Sequence, residues 1–130
     1  MKYRFERDPE NGVIFVIVKL DDNYTFKMLL DTGASHTTFD TNALYMAYYP
    51  MGKLETSVIE TANGIVKVDI FEASNLTALG HTVYGKPVQV YDFLAHGILT
   101  DYEGVLGIDF FENTVFCIDM INNTIEIHNS

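Results

Sequence analysis

Apolar positions along the chain come in short runs or alternate with polar ones, and turn residues separate them, which predicts strands rather than long helices. Val13-Ile14-Phe15-Val16-Ile17-Val18-Lys19-Leu20 is β-branched and short for a buried helix, so it predicts a strand covered on both faces. Asp21-Asp22-Asn23 supplies turn chemistry. Tyr24 to Leu30 then alternates before becoming apolar, completing a hairpin that runs into Asp31-Thr32-Gly33. From Leu54 to Ala73 the pattern predicts two strands around Ala62-Asn63-Gly64, since Asn-Gly tolerates the positive φ of a tight turn. Further strands are expected at Thr82 to Tyr84 and Val88 to Phe93, interrupted by Gly85-Lys86-Pro87. Val115 to Ile121 should turn at Asn122-Asn123 onto Thr124 to His128. Two short helices are predicted: Asn42 to Ala47, capped by Asp40 or Thr41, and one within Gly107 to Asn113.

With 130 residues, 48% apolar and 13% aromatic, the chain can bury a real core, and without linker or repeat it reads as a single domain over 1–130. Eighteen acidic against eight basic residues give a net charge of −10, which opposes nucleic acid or an anionic membrane as partner. No signal-like segment and no run of about eighteen apolar residues occurs, so a soluble chain, cytoplasmic by default, is expected. Cys117, between Phe116 and Ile118, reads as a buried thiol. His36, His81, His96 and His128 lack the spacing of metal ligands, and no metal is expected; His36 reads as exposed or structural. Tyr45, Tyr48 and Tyr49 read as caps on the core, and Asp21-Asp22 and Asp101 to Glu103 as solvated loops.

Candidate chemistry concentrates in Leu29-Leu30-Asp31-Thr32-Gly33-Ala34-Ser35, where an apolar strand opens into a loop at an acid. A carboxylate delivered this way should be partly desolvated, and Gly33 lets backbone N–H groups approach it. By itself, Asp-x-Gly after a strand is also an ordinary turn. The full apolar-apolar-Asp-Thr-Gly-Ala-Ser run resembles the active-site signature of aspartic peptidases, in the short, retropepsin-like branch. Thr61-Ala62-Asn63-Gly64 resembles that family's flap, Val105-Leu106-Gly107 the element packed across the catalytic loop, and Ile108-Asp109-Phe110-Phe111 the short helix after it.

That resemblance implies an all-β fold: a closed, partly orthogonal β-barrel of the acid-protease type with one flap hairpin and one or two short helices. It implies peptide hydrolysis through Asp31, Thr32 and Gly33, supported by Ala34, Ser35, Val105, Leu106 and Gly107, with polypeptide substrate under the flap and no cofactor. One Asp-Thr-Gly supplies one of the two carboxylates required, so the resemblance further implies a homodimer. Ala34 lacks the hydroxyl that two-lobed relatives aim at the carboxylate. Ile108 stands where retroviral enzymes carry Arg or Asn that strengthens the dimer. A catalytically inactive binding or assembly module is the alternative.

Two chains of −10 each bring −20 together, a repulsion that salt screens and acid titration reduces. Self-association measured by sedimentation should therefore tighten with added salt and at mildly acidic pH; an affinity flat in both would contradict this.

Overall fold

The computed structural model describes residues 1–51, 54–61 and 64–129, and of residues 57 and 59–61 it describes the backbone. The strands are β1 (Lys2–Arg4), β2 (Glu6–Arg7), β3 (Ile14–Leu20), β4 (Tyr24–Leu30), β5 (Thr38–Asp40), β6 (Glu55–Thr61), β7 (Gly64–Ala78), β8 (His81–Tyr91), β9 (Gly104–Leu106), β10 (Thr114–Asp119) and β11 (Thr124–Asn129). One α-helix, α1 (Thr41–Met46), and two 3-10 turns, Leu94–His96 and Ile108–Phe111, complete the described elements.

Eight strands form one sheet in the order β2-β3-β4-β9-β5-β8-β7-β6. A further antiparallel pairing, Lys19 with Thr77 and Leu20 with Leu76, brings β3 onto β7 and closes six of them into a barrel. This is the expected all-β, acid-protease type of architecture. The barrel fills with alternate side chains: Val16, Val18 and Leu20 from β3, Phe26 and Met28 from β4, Phe39 from β5, Leu106 from β9. Phe26 and Phe39 meet edge to face with ring centroids 5.2 Å apart. A separate sheet, β1-β11-β10, joins the two ends of the chain and packs Ile125 on the barrel core.

Several expectations need correction. β3 has one open face rather than two covered ones, since Ile17 and Lys19 point to solvent while their neighbours fill the barrel. The two strands expected around Gly85-Lys86-Pro87 are one, β8; Gly85 takes a φ of +61° within it, and Pro87 pairs with Glu72 of β7. β7 runs on to Ala78 and turns back at Leu79 and Gly80, both at positive φ (52° and 70°), a hairpin turn that the sequence did not advertise. Asp40 sits at the start of α1 without capping it, because its carboxylate accepts the Phe93 N–H instead. Cys117 is exposed: β10 lies at a sheet edge, and its alternation turns Phe116 and Ile118 inward and Cys117 outward. Of Tyr45, Tyr48 and Tyr49, only Tyr49 packs inward, bonding Asp21 at 2.7 Å; Tyr45 and Tyr48 are exposed. Asp21 is thus a structural acceptor, which also takes the Ser74 N–H at 2.8 Å.

Gly80 tests the β7–β8 turn. An added Cβ would fall 2.1 Å from the Tyr3 ring at a φ of +70°. Gly80→Ala should cost about 1–3 kcal/mol in chemical denaturation. Adding Tyr3→Ala should relieve the clash and leave the backbone strain.

Candidate active site

The Asp31 loop is built around β9. This strand pairs parallel with β4 (Leu29 with Val105, Leu30 with Leu106) and antiparallel with β5 (Thr38 with Val105). The chain therefore leaves one neighbour of β9 at Leu30, crosses over the strand end, and returns to the other neighbour at Thr38. At the departure point the Asp31 N–H bonds the Leu106 carbonyl at 3.1 Å, and the Ala34 N–H closes a turn on the Asp31 carbonyl at 3.1 Å. The Gly33 N–H donates to Asp31 Oδ1 at 2.8 Å, so the glycine approach expected from sequence is present. Beneath the loop, Ile108 N–H bonds the Ala34 carbonyl at 2.8 Å. Gly107 must be glycine on contact grounds, because a Cβ there would lie 2.8 Å from the Ala34 oxygen and 2.8 Å from the His36 carbonyl carbon.

These contacts bring Asp31, Gly33, Ala34, Val105, Leu106 and Gly107 together, with Thr32 and Ser35 on the same loop. Val105 is half-buried, and Leu106 and Gly107 are buried, forming the base. Asp31, Thr32, Gly33 and Ser35 are exposed. The expected desolvation of Asp31 is not found in one chain: the loop stands proud of the strand ends that carry it, and its carboxylate faces water.

Two residues to which the sequence reading gave no site role, Thr37 and the Asp109 of the short helix, hold the loop from below. Thr37 and Asp109 are buried, at 0% and 6% exposure. The Thr37 N–H reaches both Asp109 carboxylate oxygens at 3.0 Å, and its hydroxyl donates to Oδ1 at 2.8 Å. The same hydroxyl accepts the Gly107 N–H at 3.2 Å. The available signal was a lone acid among Ile108, Phe110 and Phe111, since an acid in an apolar run is usually buried and partnered.

A second cluster braces the lead-in to β9. Glu103 accepts the Lys27 N–H at 2.9 Å and returns its own N–H to the Lys27 carbonyl at 2.8 Å. The Lys27 ammonium lies 4.3 Å from the Phe15 ring centroid. Tyr102 donates its hydroxyl to Asp8. That bond, followed by desolvation, pushes the Tyr102 hydroxyl up to about 12, while the same bond holds the Asp8 carboxyl below its usual range. Glu103 is accordingly a structural acceptor rather than a solvated acid.

The hairpin β6–β7 forms as expected, with Thr61 paired to Gly64. Ala62 and Asn63, which the sequence places at its tip, lie outside the described residues. The hairpin connects to the loop through β8, where Gln89 pairs with Ile70 of β7 and donates its N–H to the Thr37 carbonyl at 3.0 Å. Among the described residues no group of three side chains could hold a metal ion, and no helix is long and apolar enough to cross a membrane. A groove of about 1100 Å³ lined by Tyr49, Pro50, Leu54 and Phe71 includes no residue of the Asp31 loop.

Residues 16–110 match the family model described as aspartyl protease. Among solved structures, the chain resembles a retropepsin-like aspartic protease from Rickettsia conorii, with a TM-score of 0.65 and 18% identity over 99% of this chain and 89% of that one. At that identity the likeness speaks for the fold. No curated protein sequence matches the chain.

Thr37→Val keeps the shape of the side chain but removes a donor from a buried carboxylate. It should lower folding stability by about 1–3 kcal/mol, read by urea denaturation, and Thr37→Ser should lose less. Equal stability of Thr37→Val and the parent would refute this support role.

Proposed function

This chain belongs to the aspartyl protease family, and on that premise we propose that it is an aspartic endopeptidase whose site is completed by a second copy. The observation that carries this reading is the exposed carboxylate of Asp31, held by the Gly33 N–H on a loop braced from below, in a chain with one Asp-Thr-Gly. A lone solvated acid is a poor catalyst for amide hydrolysis. Two facing carboxylates share a proton, because both cannot ionise at close range. The ionised one takes a proton from a water held between them as that water attacks the scissile carbonyl carbon. The protonated one gives its proton to the carbonyl oxygen; on collapse the carboxyl that took the water's proton passes it to the leaving amide nitrogen while the other carboxylate takes back a hydroxyl proton, which restores the shared proton.

In this arrangement Asp31 and the Asp31 of a second chain face each other across a two-fold axis. The Thr32 hydroxyls, exposed on the same loop, link the two loops, and Gly33 keeps backbone close to both acids. Ile108, 44% exposed beside the Ala34 carbonyl that its N–H bonds, offers apolar surface for the partner to cover. The hairpin residues Thr61, Ala62, Asn63 and Gly64 act as a flap, and an extended polypeptide lies beneath, adding strand-like hydrogen bonds. The chemistry requires no metal or cofactor.

Asp31→Asn should fold like the parent and lose peptide cleavage by at least about a hundredfold, measured on a proteome-derived peptide library. Cleavage that survives this substitution, or a parent that remains monomeric and inactive at high concentration, would instead favour a binding module.

A further inference from the structure

The groove of about 1100 Å³ lies apart from the Asp31 loop, and the proposed chemistry does not use it. Its apolar wall combines Tyr49 and Pro50, after α1, with Leu54, Ile70 of β7 and Pro87 of β8. That volume exceeds the roughly 300–1,000 Å³ of small-molecule sites, so several side chains fit at once. Every charged residue in its described lining is an acid: Asp21, Glu55 and Glu72. Asp21 is already engaged, by the Tyr49 hydroxyl and the N–H groups of Ser74 and Asn75. Glu55 and Glu72 are exposed, and among the described residues neither pairs with a base. Glu72 Oε1 lies over Gly85, where a Cβ would stand 3.0 Å from it. Lys86, next in the chain, sends its ammonium to Glu112 instead, at 2.7 Å. The segment leading into the groove exposes Tyr45, Met46 and Tyr48, adding apolar surface at its approach.

These features select the occupant by charge and polarity. An anionic ligand meets three acids, and a purely apolar one strips water from two carboxylates without pairing them. A cationic head on an apolar stem satisfies both wall and acids. We propose that this groove docks a basic, partly apolar segment of the polypeptide substrate, at a distance from the bond that is cut. This names a substrate class for the peptidase reading above and rests on it. A Lys or Arg there lays its methylene stem along Tyr49, Leu54 or Pro87 and brings its charge to Glu55 or Glu72. Glu55 pairs in register with Ile70 inside the hairpin proposed as the flap, and β8 donates the Gln89 N–H to the Thr37 carbonyl. A segment docked here is therefore held on the strands that border the site, which raises the concentration of its neighbouring stretch at the cleft. The −10 charge attracts bases over the whole surface, but salt screens that attraction beyond about 8 Å, and contacts inside the groove outlast it.

The probe is a short labelled peptide of alternating Lys and Leu, with Lys–Ser and Glu–Leu counterparts, titrated at physiological salt onto the full chain carrying Asp31→Asn. The Lys–Leu peptide should bind most tightly. Glu55→Gln with Glu72→Gln should weaken it about three- to tenfold, whereas Glu6→Gln with Glu10→Gln, an equal loss of charge elsewhere on the surface, should change it less than about twofold. With Asp31 restored, a cleavable peptide extended by the Lys–Leu segment should gain about three- to tenfold in kcat/KM over one extended by Lys–Ser, and the Glu55 and Glu72 substitutions should remove that gain. Equal weakening by the two pairs of substitutions, or equal binding of the Lys–Leu and Lys–Ser peptides, overturns the docking site. Binding without a gain in cleavage, in a chain whose cleavage requires Asp31, overturns the substrate as its occupant. Absence of Asp31-dependent cleavage overturns the peptidase reading and the substrate assignment with it, while the titration still decides whether the groove takes basic segments.

Discussion

A carboxylate taken out of water must be met by donors, and Asp109 is buried where the N–H and hydroxyl of Thr37 converge on it at 2.8–3.0 Å. The same hydroxyl receives the Gly107 N–H, so one side chain ties the end of the Asp31 loop to the junction between β9 and the 3-10 turn after it. β9 is three residues long, yet it is the shared neighbour of β4 and β5. Where it sits decides where Leu30 releases the chain and where Thr38 collects it. The loop closes its own turn at Asp31 through the Gly33 and Ala34 N–H groups, and this buried anchor fixes the end at which it rejoins the barrel.

Closing the barrel and completing the site are separate problems. The pairing of β3 with β7 closes the barrel within one chain and fills it with side chains from every wall. Asp31 and Thr32 gain nothing from that closure and remain in water. Residues that a single chain leaves open, next to a loop it holds rigidly, are the signature of a surface made for something else to cover. Under the proposed function that cover is a second copy, and the acidic composition sets how readily two copies meet.

Much of this was legible from the chain. The hairpin into Asp31, the Asn-Gly hairpin, the final β10–β11 pair and both short helices follow from periodicity and turn chemistry. Two of the errors share a cause. Cys117 and Ile17 sit in runs whose residues are all apolar, so the sequence could not say which parity faces the core; the position of β10 at a sheet edge and the single packed face of β3 decided it. Gly85 and Pro87 looked like a break because local propensity disfavours them in a strand. Pairing with β7 carries β8 through them.

The sequence by itself determined most of the elements and the position of Asp31, because hydrophobic period, turn residues and Asp-Thr-Gly are local properties. Only the tertiary structure decided what holds that acid in place. Thr37 and Asp109 are 72 residues apart, and β9 lies between β4 and β5, two strands that the chain leaves long before it reaches Gly104. No local pattern encodes such a meeting. It follows from the demand that a buried charge find its donors and that a closed barrel leave its inner strands paired on both edges.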